Sequence, residues 1–168
     1  MTLSSPTGRP QTFIAAFLAA GMTVTVGTAL AFEHIGGYIP CKLCLEQRVP
    51  YYIGIPVALF ALASSVLRLP QILTRVLLLG GALLMVWAAG LGIFHSGVEW
   101  GWWQGPTDCG VVASGSGSGS LLDQLDATIP PACDEAAGRF LGLSFAGWNV
   151  VASTILAVFA FSGALKRS

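Results

Sequence analysis

Charge is scarce in this chain. Only 10% of its 168 residues are charged, eight basic against eight acidic, so the net charge is zero. Overall charge therefore gives no attraction to a polyanion, and no nucleic acid is expected as a partner. Histidine occurs twice and cysteine four times, and no internal repeat is evident. Four stretches lack acidic and basic residues altogether: Thr12–Phe32, Val49–Leu67, Val76–Phe94 and Phe145–Leu165. With 54% hydrophobic residues and a mean hydropathy of +0.74, the chain is far from the balance of a soluble domain. At about 1.5 Å per residue, each stretch is long enough as a helix to span roughly 30 Å of hydrocarbon. The expected fold is all-α: one polytopic membrane domain over residues 1–168, a four-helix bundle with outer loops at about 33–48 and 95–144.

Acids are missing from one side entirely. Four spans place both termini and the link Arg68–Arg75 together, and that side carries Arg9, Arg68, Arg75, Lys166 and Arg167. The other side carries Lys42, Arg48 and Arg139 with all eight acids. Only the Lys/Arg bias orients a membrane protein, and it points both termini into the cytoplasm. No cysteine lies within a span or on the inner side. Cys41, Cys44, Cys109 and Cys133 all fall outside, where disulfides persist. Four cysteines allow three pairings, of which local spacing favours Cys41–Cys44 and Cys109–Cys133. The run ending Ala29-Leu30-Ala31 also offers an A-x-A-like cleavage site, but it is longer than the usual ~7–15-residue apolar region of a signal peptide.

Residues 1–10 form a short polar tail. Pro50 and Pro56 fall early in the second span and are expected to bend it or loosen its first turns. Gly80-Gly81 and Gly90-x-Gly92 suit close helix packing in lipid. In the long second loop, Trp100-Gly101-Trp102-Trp103 is placed for interfacial anchoring. Ser114–Ser120 is a flexible linker by composition, and Leu121, Leu122 and Leu125 form the apolar side of a short helix lying on the membrane.

The chemistry begins at Pro40-Cys41-Lys42-Leu43-Cys44-Leu45-Glu46-Gln47-Arg48. Cysteines three apart share one helix face, so they can cycle between dithiol and disulfide. A proline fits the first helical position, and the helix N-terminus stabilises a thiolate. Arg48, one turn past Cys44, is a candidate donor to the carbonyl of a bound electron acceptor; on its own it would be a snorkelling residue. Glu46 and Gln47 point elsewhere and receive no role. Structural zinc usually takes two short-spaced ligand pairs, which Cys109 and Cys133 do not supply, so no metal is expected. His34 and His95 at the outer ends of spans one and three define a rival class, a small haem-binding electron carrier.

On these residues the chain resembles the disulfide bond formation protein B (DsbB) family. The family's proline, Cys-x-x-Cys and arginine four residues on are met by Pro40, Cys41, Cys44 and Arg48. A histidine ahead of the third cysteine is met by His95 and Cys109, and Phe-Leu-Gly-Leu after the last by Phe140–Leu143, following Cys133. The resemblance implies a bundle in the bacterial inner membrane that oxidises a periplasmic thioredoxin-like dithiol carrier (DsbA-like) and reduces a membrane quinone, ubiquinone or menaquinone. It implies redox roles for Cys41, Cys44, Cys109 and Cys133, with Arg48 and His95 toward the quinone. Cys109 would form the mixed disulfide with the carrier, and Cys133 would exchange with Cys41, freeing Cys44. A vitamin K epoxide reductase-like enzyme is the alternative within the same chemistry.

Overall fold

Four long helices account for most of the computed structural model, which describes residues 8–106, 133, 134, 136 and 138–166. They are α1 (Arg9–His34), α2 (Lys42–Val66), α3 (Gln71–Glu99) and α4 (Phe145–Leu165), each long and apolar enough to cross a membrane. The all-α membrane architecture is therefore present, with one addition. Strands β1 (Arg139–Phe140) and β2 (Leu143–Ser144) pair antiparallel as a tight hairpin leading into α4. Its turn places Leu141 at φ 51° and Gly142 at φ 83°, the left-handed pair that a two-residue hairpin demands. Ser144 then caps α4, its hydroxyl accepting from the Gly147 N–H at 3.2 Å.

The first three helices begin earlier than the charge-free runs, and α1 and α3 also end later, while Phe145–Leu165 coincides with its run. α2 starts at Lys42, seven residues before the expected span, and α3 runs five residues past Phe94. Charged side chains at helix ends reach solvent, so the absence of charge marks the hydrocarbon and not the helix. Pro40 does not occupy the first helical position: Cys41 is the cap, and Pro40 precedes it. Pro50 and Pro56 both lie within α2, which stays helical through them.

Helices α3 and α4 share the largest interface; α2 packs on α3, and α1 closes the ring against α2 and α4. Leu18, Met22, Ala58, Ala61, Leu78, Ala82, Met85, Ala88 and Ala160 are fully buried along the axis. Small residues set the spacing. A Cβ on Gly92 would lie 2.8 Å from Val150 Cγ2 and 3.3 Å from the Ala146 carbonyl, so α3 and α4 meet backbone to backbone there. Bulky apolar residues such as Phe60, Leu83 and Val158 face outward, as lipid requires. At the end holding the termini, buried polar groups satisfy one another. Gln11 donates to the Gly163 and Lys166 carbonyls, Ser64 bonds Thr74 at 2.7 Å, and Arg75 donates to the Ala164 carbonyl.

At the opposite end Trp103 folds back on α3. Its indole N–H donates to the Phe94 carbonyl at 2.7 Å, and its ring stacks on Phe94. Only glycine at 97 leaves room, because a Cβ there would come within 2.0 Å of the ring. Gly97→Ala should therefore expel the indole and destabilise the protein in detergent by about 1–3 kcal/mol, the usual cost of overpacking. The check is thermal unfolding of Gly97→Ala with and without Trp103→Leu: the glycine substitution should cost little once the indole is gone.

Candidate functional site

The N-terminus of α2 builds the site. Cys41 is its cap, in extended backbone, and its sulfur takes the place usually held by a serine or aspartate oxygen: the Cys44 N–H points at it from 3.4 Å. The helix turn brings Cys44 Sγ to 3.0 Å from Cys41 Sγ, with neither thiol in a disulfide. Cys133 is disulfide-bonded and buried, in one apolar cluster with Cys41, Leu43 and Val98. The cysteine pair thus has two sides, with Cys41 turned toward Cys133.

The last turn of α3 supplies His95, whose ring is 3% exposed and whose Nε2 lies 3.7 Å from Cys41 Sγ. Its Nδ1 bonds the Gln47 side-chain amide. Gln47 also accepts from Asn149 Nδ2 at 2.7 Å, and Asn149 in turn accepts from the Tyr51 hydroxyl at 2.6 Å. Glu99, one turn beyond His95, brings Oε1 to 3.8 Å from Nε2, while its other oxygen is buried with no hydrogen-bond partner.

On its other side the pair meets a cavity of about 510 Å³, the size of a small-molecule site. Cys44, Gln47, Arg48 and Tyr51 from α2 line it, facing Val24, Phe32 and Glu33 of α1 and Phe145, Trp148 and Asn149 of α4. Val24 and Phe32 are also exposed on the outer surface, so the cavity opens toward lipid. Arg48 forms an ion pair with Glu33, and both line the cavity beside Cys44.

A family model described as disulfide bond formation protein DsbB matches residues 11–163. The chain belongs to the DsbB family. It is 32% identical over 142 residues to disulfide bond formation protein B of Aromatoleum aromaticum, covering 80% of this chain and 81% of that one. It is 27% identical over 140 residues to uncharacterized protein RP370 of Rickettsia prowazekii, covering 81% and 77%. No solved structure matches the chain significantly. This is therefore a multi-pass membrane oxidoreductase of disulfide bond formation.

As a DsbB-family site, the geometry brings together Cys41, Cys44, Arg48, His95 and Cys133. Cys109 lies outside the described residues, as do the Gly/Ser stretch 114–120 and the leucines that follow. His95 stands behind the pair against Cys41 and is not among the residues lining the cavity. His34 is exposed and bonds the Leu30 carbonyl of its own helix, sharing no hydrogen-bond partner with His95. The ligand atoms of Cys41, Cys44 and His95 lie within 4.8 Å of one another, close enough for a metal ion to bridge. Sequence reasoning missed Gln47 and Asn149. The signal was there for Asn149, a polar side chain inside an otherwise apolar span.

The Cys41 thiol is held well below the usual thiol range, first by its hydrogen bond with the Cys44 side chain and then by the His95 ring, against the opposing effect of burial. In the reduced protein, iodoacetamide should go on modifying Cys41 at pH values well below the ordinary thiol range, and slow only where the thiolate is finally lost. Cys44→Ala removes the largest stabilising contact, so the fall should move up toward the ordinary thiol range near ~8.5. Mass spectrometry of the alkylated peptide against pH checks both profiles. A wild-type profile breaking in the ordinary range would refute the assignment.

Proposed function

We propose that this protein reoxidises a periplasmic thioredoxin-like dithiol carrier and passes the electrons through its two cysteine pairs to a membrane quinone. One observation carries the reading: Cys41 packs against the disulfide-bonded Cys133, while Cys44 opens on the apolar cavity with Arg48. The pair stands between a second disulfide and an acceptor-sized space. Family membership supports the same route.

The residues present fit a quinone. The cavity is largely apolar and opens toward lipid, where such a molecule is dissolved, and its polar groups gather at the Cys44 end. Arg48 would hold the head group there, while Gln47, Asn149 and Tyr51 line the same end with their donors already engaged by one another, His95 and helix carbonyls. A bound quinone supplies an acceptor of two electrons and two protons, the amounts released when the Cys41–Cys44 dithiol closes to a disulfide. Arg48 places positive charge where negative charge develops, in a partly dehydrated site. Upstream, Cys109 forms the mixed disulfide with the carrier and Cys133 exchanges with Cys41. Each exchange is a thiolate attack that forms one S–S bond and breaks another. A loop of about 25 residues between Cys109 and Cys133 costs roughly 3.5 kcal/mol to close, which makes that pair the readier oxidant.

The test is anaerobic mixing of pure protein, reduced carrier and quinone, with quinone absorbance and free thiols followed together. Loss of two thiols for each quinone reduced is expected; thiol loss without quinone loss would sink the reading. Arg48→Met should raise the apparent quinone KM and slow turnover by about 10-fold or more, with Arg48→Lys intermediate, since lysine keeps the charge but not the planar fork. Wild-type quinone kinetics in Arg48→Met would reduce Arg48 to a partner of Glu33.

The positive residues of the opposite face support an orientation with the cysteines toward the periplasm. An impermeant thiol reagent on reduced, intact spheroplasts should therefore label the cysteines. Labelling that needs a permeabilised inner membrane would overturn this orientation.

A further inference from the structure

Cys41, His95, Gln47, Asn149 and Tyr51 form one unbroken chain of side-chain contacts linking α2, α3 and α4. The two ends of an amide look alike, as do the two nitrogens of an imidazole. Their roles can still be read from groups that act in one way only. The Ala88 carbonyl can only accept, and Asn149 Nδ2 lies 3.2 Å from it. Asn149 therefore presents its NH2 to Ala88 and to Gln47, and its oxygen to the Tyr51 hydroxyl. Gln47 accepts from that NH2 through Oε1, so its own NH2 points the other way.

The Leu43 carbonyl, 3.4 Å from Gln47 Nε2, is a second acceptor-only group and requires the same sense. Gln47 thus donates to His95 Nδ1, which must be bare. A neutral ring then carries its proton on Nε2, the nitrogen facing the Cys41 sulfur.

We propose that Gln47 and Asn149 are positioning residues that fix His95 as the Nε2–H tautomer, so that the ring donates a hydrogen bond to the Cys41 sulfur. The inference rests on the redox reading of Cys41 for its purpose, but the tautomer itself does not. Cys41 carries negative charge whenever it leaves a disulfide or attacks one, and a donor aimed at it stabilises that charge. With Nε2 already protonated, His95 is not the base that accepts the Cys41 proton. Nor does Nε2 offer a metal its lone pair, so the Cys41–Cys44–His95 group works as a hydrogen-bonded dithiol.

The test uses full-length reduced protein in detergent with 15N-labelled histidine. The His34→Asn variant leaves His95 as the one histidine signal, since the chain has two. Nitrogen NMR should show a proton on Nε2 and none on Nδ1 in protein otherwise wild type at the network; a proton on Nδ1 there overturns the proposal, whatever the protein's activity. Gln47→Glu replaces the donor by an acceptor of the same shape and should bring a proton onto Nδ1. A folded Gln47→Glu protein with Nδ1 still bare also overturns it.

Alkylation of Cys41 at neutral pH, measured in a Cys44→Ala background, should fall about 10-fold on His95→Phe, as loss of a charge-assisted donor implies. If that rate is unchanged, the ring does not act on Cys41. These readouts involve neither quinone nor carrier, so they can succeed even if the proposed electron route fails.

Discussion

A bilayer offers no water to a polar group, and that constraint arranges everything else in this protein. Across the middle of the bundle the interior is mostly leucine, methionine and alanine. Ser153, between the two ends, bonds the Asn149 carbonyl of its own helix, but most buried polar side chains lie toward the ends, where they satisfy one another. At the end holding the termini they do so inertly: Gln11, Ser64, Ser65, Thr74 and Arg75 bond each other or helix-end carbonyls. At the other end the same pressure builds a reactive site, because the groups to be satisfied include two thiols and an imidazole. The hydrogen bonds that make His95 tolerable in the interior are the ones that orient it.

The charged pair at the cavity follows the same logic. An arginine near hydrocarbon is costly unless partnered, and Glu33 reaches it from α1. The pair brings a full positive charge close to Cys44 while leaving the region nearly neutral. An acceptor that gains negative charge would draw on the Arg48 donors that Glu33 now uses. Glu33 is therefore part of the electrostatics of the cavity, and its place on α1 ties that helix to the chemistry on α2.

Much of the fold could be read directly, because lipid imposes a simple code: runs without charge are spans. The same code hid the details. Gln47 shares a helix turn with Cys44 and Arg48 but lies on another face, and the sequence does not show which face of that helix meets the bundle. In the fold that face is the interior, and Gln47 is a buried polar side chain there, the kind that marks function in a membrane protein. Glu33 was obscured in a similar way: it was one of eight acids that agreed with the orientation, and nothing local to it pointed toward Arg48. The hairpin before α4 was illegible for a different reason. Two residues per strand give no alternation to detect, and Leu141-Gly142 lacks the usual Asn-Gly or Asp-Gly signature.

The Cys-x-x-Cys pair has direction, and the helix N-terminus is what gives it one. Because Cys41 is the cap, its sulfur lies outside the first turn, against Val98, Cys133 and the His95 ring. Cys44, one turn in, projects toward α1 and α4, where the cavity lies. Two sulfurs 3.0 Å apart therefore face different surroundings: a buried disulfide and a fixed imidazole on one side, an apolar space with a cation on the other. Negative charge at Cys41 is stabilised from the His95 side, and at Cys44 from the Arg48 side. Charge is thus supported at either sulfur by a different element, α3 for the first and α2 itself for the second. A symmetric pair would exchange in either direction with equal ease; this one is biased by which neighbour each sulfur keeps.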